Sequence, residues 1–230
     1  PSITYQVRLK NGKDQTVYSP HMFPSDGEIS EVFEPWVRLH LMTPNEYLGA
    51  LSLLCHEHEG EVVDMENFGG DRTKLEVLMP LRELMRNFFD ELKSATSGYA
   101  SVAYDFAEMR SADVTRLDIL LADEVVPAFT RVVARRRAVE EAETAVEKLH
   151  EIMPRQMFQM KVQGFALGRI LSSKTIKAFM KDVTQHMYGG DITRKMKLRE
   201  KQKEGKKKMA TMGKGKVNIP HEVFLKMMKK

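Results

Sequence analysis

The chain has 230 residues, 42% of them hydrophobic, with 36 Lys/Arg against 32 Asp/Glu and a formal net charge of +4, enough apolar material for one large domain or two small ones. No apolar stretch approaches the roughly 18 residues of a membrane-spanning helix, and Pro1-Ser2-Ile3-Thr4-Tyr5 is not a signal peptide. A single cysteine, Cys55, excludes an intramolecular disulfide framework, and the start without methionine reads as a piece of something longer.

Residues 1–30 read as a hairpin whose partner strands are not visible: Ile3 to Leu9 alternates, Asn11-Gly12 supplies the turn, and Thr16-Val17-Tyr18 resumes before Pro20. A strand then follows at Trp36 to Met42, with Val37, Leu39 and Leu41 on one face. Thr43-Pro44-Asn45-Glu46 has the form of a capping box, opening a helix that carries Leu48, Leu51, Leu54 and Cys55 and stops at Gly60. Strands at Glu61 to Phe68 and Lys74 to Met79 flank Gly69-Gly70-Asp71. Pro80 starts a second helix with Leu81, Leu84, Met85, Phe88, Phe89 and Leu92 on its stripe, and Gly98 separates it from a strand at Tyr99 to Phe106. The order strand-helix-strand-strand-helix-strand is that of a split βαβ, ferredoxin-like sandwich over residues 31–111.

A second, smaller α+β unit covers residues 112–190. Its expected parts are strands at Arg116 to Leu121 and Val125 to Ala134, then a helix with Ala138, Ala142, Ala145, Leu149 and Ile152 on its apolar side, ended by Pro154. A strand at Gln156 to Phe165 and a helix at Thr175 to His186 complete it. Sixteen methionines, mostly on apolar faces, read as flexible core filler.

The charge is uneven. From Asp191 to Lys230 there are 14 Lys/Arg and 4 Asp/Glu, a net of +10, so the rest of the chain sums to −6. Apolar content there is too low to offset the ordering entropy of about 1–2 kcal/mol per residue, which predicts a largely flexible tail over residues 191–230. A segment with that field seeks a polyanion. Phosphate backbone is the first expectation, meaning nucleic acid or a phospholipid surface with peripheral membrane association; low apolar content and scattered glycines favour an arm that folds on nucleic acid. A solvated helix or a localisation signal is the plain alternative.

Other constellations carry less. Cys55-His56-Glu57-His58 holds metal-ligand residue types, but neighbouring helical residues point apart and no second cluster accompanies them. Gly164 and Gly168 lack the Gly-Lys-Ser/Thr of a phosphate loop and read as a turn beside a strand. Ser172-Ser173-Lys174 stands at an expected helix start, where serines cap. Asp64 and Glu66 share a strand face, as solvated carboxylates do. No catalytic residue and no metal site are assigned.

Tyr188-Gly189-Gly190-Asp191-Ile192-Thr193-Arg194-Lys195, Lys201 to Lys208, and Ile219-Pro220-His221-Glu222-Val223-Phe224 together resemble the C-terminal signature of the LepA family, also called elongation factor 4, whose mitochondrial form is known as Guf. Glu34-Pro35, Pro44 to Gly49, Leu92-Lys93-Ser94 with Gly98-Tyr99-Ala100-Ser101, and Ile152 to Gln156 are similar to that family as well. The resemblance covers residues 30–230. His186-Met187-Tyr188 departs from the family's common Cys-Tyr-Gly-Gly run, and Met212 to Lys216 looks inserted.

This resemblance implies that residues 31–111 are similar to the last domain of elongation factor G, that residues 112–190 are specific to LepA proteins, and that residues 1–30 end a truncated preceding domain. Intact members are ribosome-dependent translational GTPases using GTP and Mg, and their GTPase domain would precede Pro1. This chain is therefore expected to be no enzyme by itself, with no cofactor and no small-molecule substrate. The implied partners are the ribosome, through large-subunit rRNA and proteins, and a tRNA acceptor arm. The implied RNA-binding residues are Tyr188, Arg194, Lys195, Lys197, Arg199, Lys201, Lys203, Lys206, Lys207 and Lys208. The family is linked to backward tRNA movement and fidelity, and also to ribosome assembly and initiation; the sequence leaves these open. Arg194-Lys195-Met196-Lys197 looks more like mitochondrial members, which places the protein in the mitochondrial matrix, with the bacterial cytoplasm as alternative. The rival reading is a protein-interaction or assembly module whose tail only solubilises or targets.

Overall fold

The computed structural model describes residues 3–67, 69–179, 181–184, 192–212 and 217–228. It is α+β with antiparallel sheets, and it divides into two compact units, residues 1–113 and 114–230.

The first unit is organised around β3 (Ile29–Pro44), which is longer than the expected strand. Along one edge of β3 lie first β1 (Tyr5–Leu9) and then β5 (Arg72–Pro80); along the other lies β6 (Ser101–Ser111). β2 (Asp14–Val17) pairs with β1, and β4 (Glu61–Asn67) pairs with β5. The hairpin of residues 1–30 thus finds its partner in β3, and the reading that its partner strands are missing is corrected. Pairing Gln6 with Phe33 and Val7 with Val32 satisfies backbone groups that a lone hairpin would leave to water.

Helices α1 (Leu48–Glu57), α2 (Leu81–Glu83) and α3 (Phe89–Ala95), the last two joined by a π-helical stretch at Leu84–Phe88, cover one face of this sheet. Val37, Leu39, Leu41, Leu75, Val77 and Met79 meet Leu51, Leu54, Cys55, Leu84, Phe88 and Leu92 there. Period-two alternation in the strands and steps of three and four in the helices bring these residues together. Met85 and Phe89, expected on the buried stripe, are exposed instead. The capping box does not form: Thr43 and Pro44 still pair with β5, Thr43 Oγ1 is buried without a partner among the described residues, and Asn45 Oδ1 accepts a hydrogen bond from Thr73 Oγ1 at 2.7 Å. The reverse turn after α3 uses Ser97 and Gly98, both at positive φ.

The second unit has sheet order β11-β10-β7-β8, from β7 (Val114–Leu121), β8 (Glu124–Val125), β10 (Met160–Ala166) and β11 (Arg169–Ile176), and β9 (Arg131–Ala134) also pairs with β7. The single strand expected at Val125 to Ala134 is therefore two short ones, interrupted by a 3-10 turn at Pro127–Phe129. Helix α4 (Ala138–Ile152) packs its Ala138, Ala142, Ala145, Val146 and Leu149 onto Leu117, Ile119, Leu121, Val162 and Ile176. Small side chains let the helix come close. A Cβ on Gly164 would lie only 2.9 Å from the Ala142 Cβ.

Two expectations change in this unit. The helix at Thr175 to His186 is replaced: β11 runs to Ile176, residues 177–179 and 181–184 are irregular, and Gln185 and His186 fall outside the described residues. A tight turn with Leu167 and Gly168 at φ 55 and 73 folds β11 back on β10, and ladder pairing from Met160–Ile176 to Ala166–Arg169 wins over the helical spacing. Ser172-Ser173-Lys174 consequently sits in a strand, with Lys174 ion-paired to Glu147, and caps nothing. The basic tail is also not structureless. Residues Ile192–Met212 form helix α5, and His221–Met228 form α6, whose Val223 is buried while Ile219, Phe224 and Met227 pack on the same core as α4. The apolar residues needed to pack the segment are concentrated after residue 216, beyond the lysine-rich stretch.

Candidate nucleic-acid interface

Helix α5 carries Arg194, Lys195, Lys197, Arg199, Lys201, Lys203, Lys206, Lys207 and Lys208, every sequence-predicted RNA-binding residue except Tyr188, which lies outside the described residues. Apart from Thr193, Gly205 and Thr211, the segment consists mostly of residues that favour helix, so it winds without an apolar stripe. Among the described residues none of these nine cations lies within ion-pair distance of a carboxylate. Some bases elsewhere in the second unit are paired instead. Arg116 bonds Asp118 at 2.9 Å, Arg131 bonds Glu141 at 3.3 Å and Arg137 lies 3.6 Å from Glu140. A paired base presents little net field to a phosphate, whereas the α5 cations present theirs in full.

The helix is held by hydrogen bonds to the segment before it. Arg199 Nη2 donates to Thr184 Oγ1 at 3.3 Å, Gln202 Nε2 to the Lys181 carbonyl at 2.8 Å, and Lys206 Nζ to the Phe179 carbonyl at 2.7 Å. Asp182 organises the acceptor segment, its Oδ1 accepting from the Thr184 hydroxyl at 2.6 Å and the Thr184 amide at 2.9 Å. Those two bonds, with Arg199 and Lys195 nearby, hold the Asp182 carboxyl below the usual carboxylate range. Gln156 joins both sides of α5 to the body: its carbonyl accepts from the Phe179 amide at 2.7 Å, and its side chain donates to the Asn218 carbonyl at 3.3 Å. Sequence reasoning missed Gln156, Asp182, Thr184 and the role of Gln202, because their partners are mostly main-chain carbonyls, which leave no residue signature.

The nine cations therefore differ. Lys195 and Lys206 are half-buried on the held side, as Gln202 is, while Arg194, Lys197, Arg199, Lys201, Lys203, Lys207 and Lys208 are exposed, Arg199 though it bonds Thr184.

The other sequence candidates carry no second site. Cys55 is buried and its thiol is pushed up to about 12 by burial. His58 is buried too, its Nε2 at 2.8 Å from Glu91 and its Nδ1 at 3.3 Å from Glu83, the latter a charge contact without hydrogen-bond geometry. Burial alone would lower the His58 pKa, but its contacts with Glu83 and Glu91 outweigh that and raise it. Among the described residues no group of three His, Cys, Asp or Glu is placed to hold a metal ion. Asp64 and Glu66 lie on the fully exposed β4. No described helix is long and apolar enough to cross a membrane.

Comparison with known proteins gives two family matches along the chain. Residues 31–120 match the family model described as elongation factor G C-terminus, and residues 121–229 match that described as GTP-binding protein LepA C-terminus. The chain is 45% identical over 230 residues to elongation factor 4 of Thermotoga maritima, covering 100% of this chain and 37% of that protein. It is 42% identical over 227 residues to an elongation factor 4 of Thermus thermophilus, covering 98% of this chain and 37% of the relative. With elongation factor 4 of Thermobifida fusca it shares 41% identity over 225 residues, 98% of this chain and 36% of the relative. The chain thus spans little more than a third of the length of these relatives. All three are bacterial, which favours the bacterial cytoplasm over the mitochondrial matrix.

Proposed function

Because this chain belongs to the LepA family, also called elongation factor 4, and carries its elongation-factor-G-type and LepA-type C-terminal units, we propose that it is the ribosome- and tRNA-binding portion of a translational GTPase. Helix α5 meets RNA phosphate, from large-subunit rRNA, a tRNA acceptor arm or both. The observation that carries this reading is a helix with nine cations, none within ion-pair distance of a carboxylate among the described residues, moored to a folded unit. Each such cation near a phosphate releases condensed counterions, a favourable contribution that falls steeply with salt.

The finer parts of the reading follow from the family. GTP and Mg serve the intact protein, outside the stretch of relatives that this chain matches. A bacterial cytoplasmic ribosome is the setting. Timing of RNA contact by a nucleotide switch, and service in tRNA movement, fidelity, assembly or initiation, belong to that whole protein. Residues 1–113 hold 10 Lys/Arg against 19 Asp/Glu and expose Tyr104 and Phe106, which suits a protein surface better than RNA. This favours protein contact by the first unit alongside RNA contact by the second.

Sedimentation with ribosomes, run from about 50 to 200 mM salt, tests the proposal. With six phosphates contacted, affinity drops by roughly a thousandfold over that range. If removing the chain after Gly190 leaves affinity and its salt dependence unchanged, RNA binding by this segment is wrong.

A further inference from the structure

Helix α5 presents two different sides. Arg199, Gln202 and Lys206 follow one another at steps of three and four, and all three donate to acceptors in residues 179–184. At 3.6 residues per turn they form one side of the helix, and the half-buried Lys195 falls on it too. Arg194, Lys197, Lys201 and Lys208 stand at steps of three, four and seven, roughly half a turn away, and all four are exposed. Their row is about 21 Å long at a rise of about 1.5 Å per residue. Between Lys201 and Lys208 the row holds the exposed Glu204, three residues after Lys201 and four before Lys208, with Gly205 beside it, where a Cβ would meet nothing within 4 Å.

We infer, on the basis of the RNA reading above, that the cations of α5 have two separate roles. Arg199 and Lys206, with Gln202, moor the helix, while Arg194, Lys197, Lys201 and Lys208 contact the RNA phosphate backbone without reading bases. Arg199 and Lys206 keep further N–H donors, but their charged groups are drawn to acceptors in residues 179–184, on the side of α5 away from the outer row. Among the described residues no cation of the outer row donates to such an acceptor, and Glu204 sets one carboxylate against its four cations. Base reading on a duplex is disfavoured, because the A-form major groove is too deep and narrow for Arg or Lys to reach base edges. The helix contains no Phe, Tyr or Trp on which a base could stack, and its one amide side chain, Gln202, is turned to the Lys181 carbonyl. Mooring fixes the row before RNA arrives, so less freedom is lost on binding.

The test measures binding of the whole chain to a short RNA duplex by fluorescence anisotropy across a salt series, alongside amide hydrogen exchange of residues 192–212. Lys197→Met and Lys201→Met should each lower the salt slope by about 0.8, the value of one phosphate contact, and leave exchange unchanged. Arg199→Met and Lys206→Met should leave the slope in place and speed exchange along α5. Two duplexes of unrelated sequence should respond alike to every variant. If Arg199→Met and Lys206→Met lower the slope as much as the outer-row variants, with exchange unaltered, the separation of roles is wrong while the RNA reading stands. If no variant changes the slope, both fall. A marked preference for one duplex overturns backbone-only contact.

Discussion

Replacing Arg82 by methionine tests how the first unit holds its buried charge. Arg82 Nε donates to Glu34 Oε2 at 2.9 Å, Nη1 to Glu83 Oε1 at 2.5 Å, and Nη2 to Glu59. The side chains of Arg82, Glu34 and Glu83 are only 8%, 2% and 4% exposed, so the carboxylates cannot turn to water when the guanidinium is removed. Breaking a buried pair by deleting one partner costs about 3–5 kcal/mol, and for a unit of this size that is a fall in Tm of roughly 10–25 °C. The loss should depend on pH. Burial raises the Glu34 carboxyl from 4.5 to about 7, although Arg82 pulls the other way. A carboxyl whose folded pKa lies above its unfolded one stabilises the fold below the unfolded value and loses that contribution as pH rises through the folded one. Without Arg82 the Glu34 pKa moves higher still, so the folded variant holds Glu34 neutral over a range where the unfolded chain ionises, and its stability falls further with rising pH than the wild type's. Glu83 is less affected, since His58 and Arg86 also hold it below the usual carboxylate range against its own burial. Thermal unfolding followed by circular dichroism at about pH 5 and about pH 8 checks both points. A Tm loss under about 5 °C, or one equal at the two pH values, would refute the reasoning.

Gly164→Ala places a methyl 2.9 Å from the Ala142 Cβ and 3.4 Å from Val146 Cγ2, so chemical denaturation should show a loss of about 1–3 kcal/mol from overpacking between β10 and α4. Phe224→Ala removes the ring 5.1 Å from Phe129; because Phe224 is only partly buried, a loss of about 2 kcal/mol is expected, with faster amide exchange confined to residues 217–228. Gly205→Ala meets open space on α5 and should raise helicity by circular dichroism, stabilising the helix by up to about 1 kcal/mol.

The sandwich was legible because its signals are local and repeated: Val37, Leu39 and Leu41 alternate, and Leu84, Phe88 and Leu92 recur at helical steps. The early start of β3 was not, because Pro35 argues against a central strand. The sheet accommodates it with a register shift between Pro35 and Val37 opposite β6, which removes the need for a regular ladder bond at that point. Ile176, Phe179 and Val183 misled in the opposite direction. Their spacing suits a helix, yet only Ile176 enters the core, while Phe179 and Val183 stay exposed and the backbone between them supplies acceptors to α5. At the site, the cations could be read from composition, since charge needs no partner to be visible. Which of them face inward depends on carbonyls at Phe179 and Lys181, and a carbonyl is common to every residue.

Charge segregation gives the two units different work. Residues 1–113 carry a net −9, with 10 Lys/Arg against 19 Asp/Glu, and residues 114–230 carry +13, with 26 against 13. The near-neutral whole conceals two fields of opposite sign, and a phosphate backbone meets attraction only from the second. Within that second unit Arg116 is matched to Asp118 and Lys174 to Glu147, while α5 gathers nine cations in one segment, none of them in an ion pair among the described residues. The acids that would neutralise a long basic helix are few on it, Glu200 and Glu204 alone. The same helix lacks the apolar residues to pack itself, so its position depends on donors reaching back to residues 179–184 and on Val223 and Phe224 anchoring the chain beyond it. A segment built in this way keeps its charge free of carboxylate partners among the described residues, and so available to the phosphate contact proposed for it.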